Sequence, residues 1–252
     1  MKLSHIIVSV SLFCFISLSY AADKPPLTIS VDQFSPGFSM VSDNKQLYGF
    51  DIDMMNYICD NINRTCRFNP VIFSKLLDSV IKGDSDVAVG SIAISSERLN
   101  LVNFSSPYLS SQGRVIGLKK SASNPFVFKS LDNQKIGIIK GAIIKDMLQI
   151  WAINNPTVIE YSTVPELIEA LNNGDVRYIL APNLVALFWL NQGNDQFVAL
   201  GTPFDYGFGL GIAVTKNNPQ LLAEINQALA AYLFSPQFKQ SYNIYIYRWP
   251  TT

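Results

Sequence analysis

Apolar and polar positions change their period several times along this chain, and each change marks an element. Leu27 to Val31 alternates, which predicts a strand, and Phe34 to Gly49, rich in Pro, Gly, Ser, Asp and Asn, predicts a loop. From Phe50 to Asn63, Ile52, Met55, Cys59 and Ile62 keep helical spacing, with Asp51 or Asp53 suited to the first turn. Phe68 to Phe73 reads as a strand. A helix capped by Ser74 follows, with Leu76, Leu77, Val80 and Ile81 on its face and Gly83 at its end. Val87 to Val89 is a short buried strand.

The same order recurs downstream. Tyr161-Ser162-Thr163 leads into a helix from Pro165 to Asn172, with Thr163 and Glu166 as a capping box, Gly174-Asp175 as the stop and Tyr178 to Leu180 as the next buried strand. Such alternation predicts mostly parallel sheets covered by helices, hence two related α/β lobes. Val115 to Lys119 and Ile136 to Ile139 read as further strands of the second lobe, separated by the polar stretch Ser121 to Gln134. Gly141 opens a helix to about Asn154, Asn183 to Asn191 is another, and Phe197 to Ala199 returns as a strand. Gly209 to Val214 as strand and Pro219 to Leu233 as helix have no second half after them, so they are expected to fold back on the first lobe. The chain then crosses twice, near Ser110 to Gly113 and Thr202 to Tyr206, a hinge suited to closing on a ligand. The expected division is 22–111 with 206–252 for one lobe and 112–205 for the other.

Charge removes some functions from consideration. Nineteen basic residues balance nineteen acidic ones, and charged residues make up only 15% of 252, which leaves no electrostatic footprint for nucleic acid. Residues 1–21 read as a secretory signal peptide: Lys2 supplies the positive start, Ile6 to Leu18 the apolar run, and Ser19-Tyr20-Ala21 the cleavage site, with Ala22 as the fallback. The run is shorter than the roughly 20 residues a spanning helix needs. Cys14 follows bulky Phe13, which argues against lipid anchoring. Cleavage would remove Cys14 and His5, the only histidine, leaving Cys59 and Cys66 seven positions apart. Without histidine there is no Ser-His-Asp or Cys-His chemistry and no His-containing zinc site. In an oxidising compartment the two cysteines read as a structural disulfide.

Three stretches then stand in a telling order: Gly49-Phe50-Asp51-Ile52-Asp53-Met54, Gly90-Ser91-Ile92-Ala93-Ile94-Ser95-Ser96-Glu97-Arg98, and Asn103-Phe104-Ser105-Ser106-Pro107-Tyr108. With the cysteine pair, they make the mature chain resemble the polar amino-acid-binding family of bacterial extracellular solute-binding proteins, family 3, closest to its lysine/arginine/ornithine- and histidine-binding branch. The resemblance implies the type II periplasmic-binding-protein fold and a set of ligand contacts. Arg98 matches the arginine that holds the ligand carboxylate, and a guanidinium is a planar, always charged partner for it. Gly90, Ser91 and Ala93 match positions near the head group, although Ala93 lacks the usual hydroxyl. Gly141, Ala142 and Ile143 match a turn whose backbone amides complete the carboxylate site. Asp32 aligns with the acid that meets a cationic side chain, Phe73 with an aromatic that stacks on it, and Phe34 or Ser35 with a wall position. A surface arginine, a loop-capping aspartate and a core phenylalanine are the plain alternatives. Where the family holds the ligand's α-ammonium with an acid, this chain has Pro182. Asn183 or Asp205 would have to stand in.

The implied function is a periplasmic, non-catalytic receptor that closes around a polar amino acid, cationic and arginine-like by preference, and delivers it to an ABC transporter permease. No cofactor, metal or nucleic acid is expected, and the protein is expected to be a monomer. Two other readings follow from the same residues: a receptor for a carboxylate lacking an α-ammonium or for a modified amino acid, and a periplasmic enzyme resembling cyclohexadienyl dehydratases. A sensor or adhesion role is a third class.

Overall fold

The computed structural model describes residues 24–121, 125–192 and 195–247. The expected leader, its cleavage site, His5 and Cys14 lie outside the described residues. The chain opens with β1 (Leu27–Asp32), a hairpin of β2 (Met40–Val41) and β3 (Leu47–Tyr48), α1 (Phe50–Asn61), β4 (Cys66–Val71), α2 (Leu76–Lys82) and β5 (Val87–Val89). One-turn α3 (Ser96–Leu99) and β6 (Asn103–Phe104) precede the first crossing. Beyond it run β7 (Gln112–Leu118), β8 (Lys135–Ile139), α4 (Met147–Ile150), β9 (Thr157–Tyr161), α5 (Val164–Asn173), β10 (Tyr178–Pro182), α6 (Asn183–Gln192) and β11 (Phe197–Asp205). After the second crossing come β12 (Ala213–Val214), α7 (Pro219–Leu233) and α8 (Pro236–Ser241).

Two five-stranded sheets result, ordered β4-β1-β5-β12-β6 and β9-β8-β10-β7-β11. In each, the first two pairings are parallel and the last two antiparallel, so the sheets are mixed, with four of the five strands running one way and a single strand reversed. The strand that reverses the direction is, in each sheet, the first to arrive from the other lobe: β12 in one and β7 in the other. A strand entering from the crossing runs away from the neighbouring lobe, whereas β1, β4, β5, β8, β9 and β10 run toward it.

Local chemistry accounts for most element ends. Thr163 and Glu166 form the expected capping box, with Gly174 in the left-handed conformation closing α5, and Gly83 does the same for α2. Ser74 is not a cap: a 3-10 turn over Phe73–Lys75 leads into α2, so the hydroxyl falls inside that turn. The helix expected from Gly141 is only a 3-10 turn, Ile143–Asp146, joined to one turn of α4. β12 is shorter than expected because Leu210 makes only single bridges, to Ala93 and Leu109.

The first lobe's core closes where α1 meets α7. Phe50 is fully buried, with its ring 6.1 Å from those of Tyr108 and Tyr232. Burying one such side chain contributes roughly 2–3 kcal/mol. Cys59 in the last turn of α1 is bonded to Cys66 at the start of β4, Cα to Cα 5.8 Å, which ties the helix end to the edge strand. The two crossings run side by side: Tyr206 N donates to Ser111 O at 3.0 Å, and Gln112 pairs with Asp205 and Gly113 with Phe204. Among the described residues no helix is long and apolar enough to cross a membrane.

Candidate functional site

The carboxyl ends of all six parallel strands face one interlobe cleft. From the first lobe come Asp32 at the end of β1, Ile72 and Phe73 after β4, and Ser91 just past β5. From the second come Ile139 at the end of β8, Ser162 and Thr163 after β9, and Pro182 closing β10. Chain reversals at strand ends supply the side chains of a site in this architecture, because the strands themselves are packed between helices. Phe34 meets Phe188 edge to face across the gap, rings 6.2 Å apart.

Among the described residues, two charged groups stand in an otherwise neutral lining. Arg98 is only 5% exposed. One-turn α3 holds it, capped by Ser95, whose hydroxyl accepts from Arg98 N at 3.3 Å. Its guanidinium donates to Ala93 O at 2.6 Å and, across the cleft, to Gly141 O at 2.9 Å, and lies 5.7 Å from the Phe73 ring centre. Of its five N–H donors, two are thus used, and no carboxylate forms an ion pair with it among the described residues. Burial lowers its pKa, a shift opposed by Tyr206, Glu97 and Asp146, but a guanidinium stays charged.

Asp32 is 8% exposed and likewise has no cation beside it among the described residues. It accepts one long bond, 3.4 Å, from Phe34 N. Burial raises its pKa to about 7, with the amides of Phe34 and Gln33 pulling the other way. Behind it, fully buried Asp51 accepts from Ser91 N at 3.2 Å and fastens the loop from below. Burial pushes the Asp51 carboxyl up to about 7, partly offset by the neighbouring Tyr108 hydroxyl and raised further by the charge of Asp32. Gly90, at φ 142°, admits no side chain: a Cβ would lie 2.8 Å from that of Asp32.

The sequence profile of the bacterial extracellular solute-binding proteins, family 3, matches residues 27–247. This chain belongs to that family. The arginine-binding protein 1 of an ABC transporter in Escherichia coli K12 is 28% identical over 232 residues, 91% of this chain and 93% of that one. An arginine transport-system periplasmic binding protein from Legionella pneumophila superposes with a TM-score of 0.81 at 27% identity, over 88% of this chain and 100% of that one. An ancestral arginine-binding protein bound to arginine gives 0.81 at 26%, over 89% and 99%. The two-lobed periplasmic-binding-protein fold is therefore that of this solute-binding protein too.

The cleft of this family member gathers Asp32, Phe34, Phe73, Ser91, Ala93, Arg98 and Ile143. Gly90 shapes it from behind Asp32. Gly141 sits at its outer rim and turns a carbonyl, not an amide, to Arg98, while Ala142 N is spent on Ile139 O. Of the three amides expected at the carboxylate, that of Ala142 is thus used within a tight turn, which Gly141 closes at φ 81° rather than opening a helix. Asn183 lines a neighbouring chamber instead, its Oδ1 accepting from Arg114 Nε at 2.7 Å. Asp205 lies exposed at the crossing, taken by Gln112, and does not reach the cleft. The sequence reading missed Tyr206, Ser162, Thr163 and Val185. Tyr206 had a usable signal in its place at the end of a lobe crossing, where the chain re-enters the first lobe beside the cleft.

Proposed function

We propose that this protein is a periplasmic receptor for a polar amino-acid-type ligand with a cationic, arginine-like tail, which it passes to an ABC importer without chemical change. The observation that carries this is a pair of buried charges that are unmatched among the described residues: Arg98 without an anion and Asp32 without a cation, in one cleft flanked by Phe34 and Phe73. Charges held this way are costly alone and favour a ligand that supplies both partners. Arg98 grips the carboxylate, Asp32 meets the tail, the aromatic faces flank it, and Ser91 and Ala93 frame the head group. The relatives named for arginine support the tail assignment. The lobes are residues 22–111 with 206–252 and 112–205, export uses a leader cleaved after Ala21, and the receptor works as a monomer. Calorimetric titration of unfolded, stripped and refolded protein with molecules bearing a carboxylate and a cationic tail tests this. Heat with at least one is expected; silence with all rejects the proposal.

A further inference from the structure

The charges of the cleft narrow the ligand class, granting the receptor reading above. Among the described residues lining the cleft, Arg98 and Asp32 carry the charge and every other side chain is neutral. A free cationic amino acid brings three charged groups: a carboxylate, an α-ammonium and the tail. Arg98 answers the first and Asp32 the last, so the α-ammonium would rest on a neutral wall.

That wall lies beside Arg98, where Tyr206 is close enough for each group to shift the other's pKa. It consists of Ser91, Pro182 and Tyr206, which line both the cleft and a second, roomier chamber. Pro182 has no side-chain acceptor, the acceptor of Asn183 is already used by Arg114, and Asp205 lies outside both spaces. Among the described residues the second chamber carries no charged side chain: Ser110, Gln112, Asn183 and Tyr242 give it neutral polar groups, among leucines such as Leu184 and Leu187. Neutral donors and acceptors of this kind suit an amide, not an ammonium.

We infer that the cleft selects cationic-tailed carboxylates whose α-nitrogen is uncharged, as in an Nα-acyl amino acid, with the acyl group passing Pro182 into the second chamber. Stripped protein is titrated with L-arginine, Nα-acetyl-L-arginine, 5-guanidinopentanoate, which has no α-nitrogen, and agmatine, which has no carboxylate. The acetyl derivative is expected to bind at least about tenfold tighter than arginine, 5-guanidinopentanoate to fall between them, and agmatine to give no binding. Arginine binding as tightly as the acetyl derivative overturns the inference and leaves the receptor reading standing. Silence with all four removes both. The Pro182→Asp variant, which restores a carboxylate at the wall, is expected to shift the preference at least about tenfold toward free arginine. An unchanged preference in folded variant counts against the inference, and the titrations of unaltered protein decide the matter should that variant fail to fold.

Discussion

Ligand binding at Asp32 should be linked to proton release. With its pKa raised to about 7 by burial, this carboxyl is mostly neutral in the empty cleft on the acid side of that value. A cationic tail pairs well only with the ionised form, so below neutrality binding must first expel the proton. The apparent dissociation constant is then the intrinsic one multiplied by one plus the ratio of protonated to ionised Asp32. Between pH 8 and pH 5.5 this weakens binding by about 30-fold for a pKa near 7. At pH 6 about 0.9 proton should leave per ligand bound, falling to about 0.1 at pH 8. Calorimetry in buffers of different ionisation enthalpy reads both numbers with one guanidinium-tailed ligand, whose own charge is constant over this range. Asp51 also titrates near 7 and feels the charge of Asp32, so attribution requires the Asp32→Asn variant. That variant should bind at least about tenfold more weakly at pH 8 and show a flattened profile. Affinity that stays level from pH 5.5 to 8, or improves on acidification, would refute the reasoning.

Three further outcomes follow from the same geometry. Arg98→Lys, which keeps the charge but loses the planar fork, should weaken binding roughly 10- to 100-fold by calorimetry; undiminished affinity would mean the carboxylate is held elsewhere. Between pH 4 and 7 the folded chain holds more protons on Asp32 and Asp51 than the unfolded chain does, so the melting temperature of empty protein should fall as pH rises through that window. Asp51→Asn should lessen the slope, and an unaltered slope would exclude this residue as its source. Reducing the Cys59–Cys66 bond should cost about 2–3 kcal/mol in urea unfolding, the amount expected for so short a loop. A loss well below that would mean the α1–β4 corner is held by packing alone.

What the sequence made legible was local. The capping box at Thr163, the stops at Gly83 and Gly174, and the bounds of α7 depend on side chains within a turn or two of one another. Strand direction does not: β7 and β12 run against their neighbours because of where the chain re-enters each sheet. β9 escaped notice because it is an edge strand with much of its surface exposed, so its apolar pattern is faint. The cleft divides the same way. Arg98, Asp32 and Phe73 declared themselves through motif order, whereas Ser162, Val185 and Tyr206 join them only when two lobes meet. Gly141 was placed at the cleft by its motif, whereas the bond its carbonyl accepts from Arg98 across the gap is visible only in the fold.

The two connecting segments are bonded to each other, through Ser111 and Tyr206 and the pairs beyond them, so neither can bend alone. Tyr206 belongs both to this ribbon and to the surface an occupant would touch. A captured molecule therefore leans on the pivot itself, and occupancy is felt at the joint without a relay of intervening side chains. Substitutions at residue 111 or 206 should accordingly change how fast the jaws part and how firmly they grip in the same stroke.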